Sequence, residues 1–86
     1  MGKDAHTMGK NILLYPNPAQ SSIRFQFSAQ QARMSIFDAV GRQVVPASVI
    51  YAGQAIDISQ LPTGVYLIQL DINGKKTVKH LLKTAE

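Results

Sequence analysis

Near its C-terminus the chain carries two runs of alternating apolar residues, joined by Asn73-Gly74. Asn-Gly is favoured in two-residue turns between antiparallel strands, because both residues tolerate the positive φ angles that those turns need. The first run follows a turn at residues 61–64 and is the longest apolar strand expected in the chain, and the second run is basic. These residues predict a β-hairpin as the final element of the fold.

The register of this hairpin decides which side chains face the core. A plain two-residue turn would set Lys79 opposite Ile68 and so mix charge into the apolar face. A shift of one residue exchanges every side chain between the faces, and a bulge near Lys75 or Lys76 would produce it. We therefore expect the shifted register, which leaves the lysines exposed. Its pairs are Leu70 with Val78, Gln69 with Lys79, Ile68 with His80 and Tyr66 with Leu82.

From residue 11 onward, further short alternating runs are separated by turn-forming residues. Ile23 and Phe25 alternate with polar residues, as in a strand with one buried face. Asp38 and Gly41 suit the first and fourth positions of a type I turn, and Pro46 is expected to interrupt the next strand. The spacing predicts a single all-β domain, an immunoglobulin-like antiparallel β-sandwich of about seven strands.

The length of 86 residues allows one domain with a modest core, since a chain of this size buries only about 60 to 65% of its unfolded surface. Residues 11–86 are expected to form it. Residues 1–10 have no hydrophobic period and are interpreted as an expression or linker remnant. The sequence has neither the apolar core of a signal peptide nor a transmembrane segment of about 20 residues. An export signal would therefore belong to a longer precursor.

The formal net charge is +4, and lysines gather in the last predicted strand. A nucleic-acid-binding domain would combine such a stripe with exposed aromatic residues or a recognition helix, and the sequence indicates neither. Lysines on an edge strand instead discourage pairing between sheets. We expect no nucleic-acid partner.

The residue inventory argues against catalytic, cofactor and metal sites. The chain has no cysteine and two histidines, His6 in the N-terminal remnant and His80 in the last strand. One imidazole without neighbours of ligand type cannot complete a metal site, and no Gly-x-Ser-x-Gly motif is present. Residues 74–77 lack the glycine and the hydroxyl spacing that a phosphate-binding loop requires. We therefore expect no enzymatic activity, no cofactor and no metal.

Four blocks stand in a particular order along the chain. They are Tyr15-Pro16-Asn17-Pro18, Asp38 with Gly41-Arg42, Asp57-Ile58 with Leu61, and Gly64-Val65-Tyr66 leading to a basic, apolar end. In this order and at this C-terminal placement they resemble the C-terminal sorting domain of the type IX secretion system, type A. The resemblance covers essentially residues 11–86.

The resemblance implies a secretion signal of Gram-negative bacteria. In that family the precursor reaches the periplasm, and an outer-membrane translocon then recognises the C-terminal domain. The translocon passes the N-terminally attached cargo to the surface, and a sortase-like C-terminal signal peptidase usually removes the domain. The implied location is secreted or cell-surface, and the implied cleavage falls near or upstream of Asn11.

Nine residues that match the blocks or the basic end are candidates for recognition by the translocon: Pro16, Asn17, Pro18, Gly41, Arg42, Gly64, Tyr66, Lys79 and Lys83. Some also have a structural explanation. Tyr66 is expected to form a tyrosine corner, and Gly41 and Gly64 to supply turn conformations. Arg42 is either solvated or bound to a carboxylate of a partner. The last strand is the expected docking element, because an edge strand offers main-chain groups that a receptor can extend.

The alternative is an immunoglobulin-like spacer or a carbohydrate-binding accessory module of a secreted protein. Sugar-binding sandwiches usually expose aromatic platforms, and Tyr15 and Tyr51 are the residues that would form one here. Side-by-side positions for these two rings on one flat face would favour this alternative.

Overall fold

The computed structural model describes residues 12–85, in which strands and turns occur without helices. The strands are β1 (Leu13–Tyr15), β2 (Ser22–Gln26), β3 (Gln31–Asp38), β4 (Gln43–Tyr51), β5 (Ile56–Asp57), β6 (Gly64–Ile72) and β7 (Lys75–Lys83). The predicted remnant at residues 1–10 lies outside the described residues. Within residues 12–85, no helix has the length and apolar character needed to cross a membrane.

The strands form two sheets, and all of the strand pairs within them are antiparallel. One sheet has the order β1-β2-β5, and the larger one has the order β4-β3-β6-β7. Hairpins join β3 to β4 and β6 to β7, whereas the pairs β2–β5 and β3–β6 need longer connections. This crossed-over order is typical of immunoglobulin-like sandwiches. The predicted all-β sandwich is confirmed.

The core lies between the two sheets and is filled by alternate side chains of each strand. Ile23 and Phe25 of β2 are fully buried, as are Ile36 of β3 and Ile68 of β6. Because successive side chains of a strand point to opposite faces, each of these strands lines the core with every second residue. Full burial of one such side chain contributes about 1.5 to 3 kcal/mol.

The β6–β7 hairpin differs from the predicted register. Ile68 lies opposite Lys79 and Ile72 opposite Lys75, so Asn73 and Gly74 alone form the loop. Their φ angles of 54° and 84° are those of a type I′ turn. The predicted bulge and the shifted pairs are therefore wrong. An inward-facing lysine is tolerated because its methylene stem can lie along apolar surface while the amine reaches water.

Strand β4 also differs from the prediction, because it continues through Pro46. The strand lies at the edge of its sheet, where a missing N–H group does not leave a neighbouring strand without a donor. Pro46 also falls between the pairs Met34–Ser48 and Ile36–Val45, where the β3–β4 register shifts. The edge position explains why the proline does not end the strand.

Candidate recognition surface at one end of the larger sheet

Residues far apart in the sequence meet at one end of the four-stranded sheet, where β3 ends, β6 begins and β7 ends. Asp38 lies opposite Tyr66, and Gly64 lies opposite Lys83. The segment after β1 joins this end through a parallel bridge between Ala19 and Lys83. We call this region the signature end and define it as residues 16–19, 38–42, 62–66 and 82–84. Every recognition candidate except Lys79 belongs to it.

Asp38 organises the turn between β3 and β4. Its carboxylate accepts hydrogen bonds from the main-chain N–H groups of Val40 (3.1 Å) and Arg42 (2.9 Å), and from Arg42 Nε (3.0 Å). The Gly41 N–H donates to the Asp38 carbonyl oxygen at 3.0 Å, which confirms the predicted turn. The donors, led by the Arg42 main-chain N–H, hold the pKa of Asp38 below its ordinary value of 3.8.

Gly41 and Arg42 complete this turn in different ways. Gly41 has a φ of 92°, a conformation that a residue with a Cβ atom rarely adopts. The Arg42 side chain is 80% exposed, and Asp38 fixes its Nε. Within residues 12–85 the terminal amino groups of this guanidinium have no hydrogen-bond acceptor. Arg42 can therefore offer them to a carboxylate from outside the domain.

Tyr66 forms the predicted tyrosine corner. The side chain is buried, and its hydroxyl donates a hydrogen bond to the carbonyl oxygen of Pro62. Burial, and then the negative charge of Asp38, raise the pKa of Tyr66. Gly64, where β6 begins, has a φ of 150°, a backbone conformation that residues with a Cβ atom rarely adopt. An added Cβ would meet no atom within 4 Å, so glycine is favoured here by the backbone angle and not by lack of space. This block therefore fixes the entry of β6 into the sheet.

Asn17 connects the first block to the last strand. It lies between two cis peptide bonds, Tyr15-Pro16 and Asn17-Pro18. Its Nδ2 donates to the carbonyl oxygen of His80 at 2.8 Å, and its Oδ1 accepts from the Leu82 N–H at 3.0 Å. A carboxamide has the donor and the acceptor of a peptide group. The Asn17 side chain thus pairs with β7 as a residue of an added strand would.

Ala19 continues this pairing along the same edge. Its N–H donates to the Leu82 carbonyl oxygen at 2.9 Å, and its carbonyl oxygen accepts from the Thr84 N–H at 2.8 Å. Ala19 is itself buried, with 1% of its surface exposed. The end of β7 is therefore covered by the segment that follows β1.

The two lysines among the candidates are not the exposed groups that the sequence predicted. Lys83 is 7% exposed, and Lys79 is half-buried. Both lie on the face of β7 that also carries the buried Leu81, as the two-residue turn dictates. The prediction that the lysines stay outside is wrong for this pair.

The same register places apolar side chains on the outer face of the sheet, a surface that the sequence prediction missed. Val65 lies opposite Leu82, and 50% and 43% of these two residues are exposed. Val78 of the same face is also exposed. The strong preference of Asn-Gly for two-residue turns was the sequence signal that could have revealed this face.

A shallow cavity of about 250 Å³ lies between the two turns of the signature end. Val40, Arg42 and Thr63 are among the residues that line it. An exposed guanidinium beside apolar surface is suited to holding a carboxylate. Within residues 12–85, no cluster of three or more histidine, cysteine, aspartate or glutamate residues is placed to hold a metal ion.

The tyrosines of the carbohydrate-binding alternative do not share a sheet. Tyr15 ends β1 in the smaller sheet, whereas Tyr51 ends β4 at the edge of the larger one. Both are exposed, at 40% and 55%. Because the two rings belong to different sheets, they do not form a platform on one sheet face of the kind considered above.

Comparison with known proteins identifies the family. The family described as "Secretion system C-terminal sorting domain" matches residues 13–84, which is most of the chain. The matched range includes all four blocks and every recognition candidate. No match was found among curated proteins. The chain belongs to the family of secretion system C-terminal sorting domains, as its resemblance to the type IX sorting domain implied.

Proposed function

We propose that this domain is recognised by the outer-membrane type IX translocon, which carries a cargo attached to its N-terminal side out to the cell surface. A sortase-like C-terminal signal peptidase then removes the domain. The family match over residues 13–84 carries this proposal, because membership associates the chain with secreted or surface-displayed proteins. The route runs through the periplasm.

The geometry of the signature end supports recognition of a folded surface rather than of a linear peptide. Asn17 and Leu82 are 65 residues apart in the sequence and are joined by a hydrogen bond. Asp38 of β3 and Tyr66 of β6 lie opposite each other on paired strands. A receptor that reads these blocks together therefore reads the sandwich in its folded state.

Most of the candidates fall into two groups within this surface. Pro16, Pro18 and Arg42 are exposed and can touch a receptor directly. The buried Tyr66 and Lys83 instead hold the surface in shape, as the two glycines do through their backbone angles. Arg42 supplies the charged contact, and an acidic group of the translocon is its partner.

Removal of the domain requires a cut outside the packed core. Ile12 is 3% exposed and belongs to the core, and β1 begins at Leu13. A cut upstream of Ile12 would leave all the strands of residues 12–85 in place. We therefore place the cleavage in the preceding linker.

The test is to fuse the whole chain behind a periplasmically exported reporter, in a host that has a type IX system. The expected result is reporter outside the cell, at a mass that shows loss of the domain. The same fusion in a host without the translocon is the control and should stay in the periplasm. Reporter that stays inside the wild-type host, with the domain folded, would refute the proposal.

A pair of arginine variants tests whether Arg42 contacts the receptor directly or only contributes to the positive charge of the domain. Arg42→Ala should lower the amount of secreted reporter, because it removes the exposed guanidinium of the signature end. Arg33→Ala removes an exposed arginine of the same sheet outside that end and should leave secretion unchanged. Equal secretion by the two variants would exclude Arg42 as a contact.

A further inference from the structure

In the part of the chain that the structure describes, the two sheets have four edge strands, and these differ in how well they could accept another strand. β1 has three residues and β5 has two, so neither offers a long ladder. β4 is longer, but it contains Pro46 and an irregular register with β3. β7 has nine residues in unbroken register with β6. It is the edge strand best suited to further pairing.

Residues 12–85 cover the last part of the β7 edge. The main-chain groups of Leu82 and the carbonyl oxygen of His80 point to this edge, where Asn17 and Ala19 bind them. Main-chain groups alternate in direction along a strand, so those of Lys76 and Val78 point to the same edge. No hydrogen bond from residues 12–85 reaches the main chain of these two residues on that side. Among residues 12–85, none therefore pairs with the first half of β7 on that side.

The charge beside this ladder indicates what kind of strand it would accept. Lys75 and Lys76 are exposed, and Lys79 lies on the same strand. A second copy of the domain would bring the same lysines against them, and like charges on neighbouring strands disfavour pairing. An acidic strand would instead find complementary charge. The charges thus favour a different protein as the partner.

We propose that the uncovered edge of β7, at Lys76 and Val78, binds an extended acidic segment of the secretion apparatus by strand addition. The partner strand receives main-chain hydrogen bonds from these two residues and returns others to them. Its acidic side chains lie beside Lys75 and Lys76, and an apolar side chain lies beside the exposed Val78. The segment of Asn17 and Ala19 marks where the added strand must end. This inference rests on the proposed function.

The test needs a variant that blocks the edge without removing the strand. Deleting the end of β7 would remove Leu81, which is 1% exposed, and so would damage the core. Val78→Pro removes only an edge-facing N–H and puts a ring in the path of a new strand. Val78→Ala is the matched control, because it shortens the same side chain and keeps the N–H. Circular dichroism and thermal unfolding establish that both variants are folded.

In the reporter fusion, Val78→Pro is expected to lower secretion by about tenfold or more, whereas Val78→Ala stays near the wild-type level. Wild-type secretion of a folded Val78→Pro variant would overturn the inference and leave the proposed function intact. Failure of the wild-type fusion itself would instead refute the proposed function. The two failures are therefore distinguishable.

A charge exchange tests the chemistry of the partner. Lys75→Glu combined with Lys76→Glu should also reduce secretion, while Lys75→Arg combined with Lys76→Arg should preserve it. Unchanged secretion by the glutamate variant would show that the partner segment is not acidic and would overturn the proposal. A dimer of the purified domain that Val78→Pro abolishes would show instead that a second copy occupies the edge. That result would equally overturn the proposal.

Discussion

The carboxamide of Asn17 holds the main chain of Leu82, accepting its N–H at 3.0 Å while donating to the carbonyl oxygen of His80 at 2.8 Å. One side chain thereby serves two main-chain groups of the last strand. These hydrogen bonds hold the first block of the family against the end of β7, within the signature end.

Replacing Asn17 should destabilise the domain. Asn17→Ala removes both hydrogen bonds, and at this exposed site we expect a loss of about 1 kcal/mol in the free energy of unfolding. Urea titration measures it. Gln20→Ala changes an exposed amide of the same segment and should have little effect. Equal stability of the two variants would show that the Asn17 bonds contribute nothing.

The hydroxyl of Tyr66 should contribute to stability through its bond to Pro62. Tyr66→Phe leaves that carbonyl oxygen without its donor, and we expect a loss of about 1 kcal/mol. Tyr51→Phe is the control, since Tyr51 is 55% exposed. A Tyr66→Phe domain that unfolds at the same urea concentration as the control would contradict the tyrosine corner.

Gly41 should resist substitution because of its backbone angle rather than for lack of space. A Cβ atom would meet nothing within 4 Å, but the φ is 92°. Gly41→Val should therefore cost about 1 to 3 kcal/mol. Gly41→Asn should cost less, since asparagine tolerates positive φ better. Thermal unfolding compares them, and the reverse order would argue against backbone strain.

Asp38 should make the stability of the domain depend on acid pH. Its pKa is lowered in the folded state, so its contribution is present above about pH 4 and is lost as the pH falls through the folded pKa. Asp38→Asn should flatten the stability profile in that range. Carboxyl NMR titration of Arg42→Ala should show a partial rise of the Asp38 pKa, because the main-chain N–H of residue 42 remains. A full return to 3.8 would show that the side chain alone lowers it.

Lys83 should stabilise the domain through the packing of its methylene stem. The residue is 7% exposed, opposite Gly64 and beside Ala19. Lys83→Ala should lose about 1 kcal/mol of stability, whereas Lys83→Met keeps the stem and should stay near wild type in stability and in secretion. A folded Lys83→Met variant that is no longer secreted would instead make the charge a recognition element.

Local patterns were sufficient for most of the fold. The alternation around Ile23 and Phe25 predicted their burial, and the turn at Asp38 and Gly41 lies where its residues indicated. The tyrosine corner at Tyr66 was also predictable from the turn that precedes it. These predictions succeeded because side-chain alternation and turn chemistry act over a few neighbouring residues.

The predictions that failed needed information from more than one strand. The sequence of β7 has apolar and charged residues on both faces, so hydrophobic alternation alone could not choose its register. The Asn73-Gly74 turn decided it, and as a result Lys79 faces inward while Val78 faces out. The continuation of β4 through Pro46 likewise depends on β4 being an edge strand, which only the sheet order reveals.

By itself, the sequence determined the class of fold, the positions of most turns and the family, because each depends on local patterns or on the order of the four blocks. Only the tertiary structure brought three of those blocks and the end of β7 together and set Asn17 against Leu82. It also left the edge of β7 at Lys76 and Val78 without a pairing partner among the described residues. These features arise when distant strands pair, and pairing depends on how both sheets pack around a shared core.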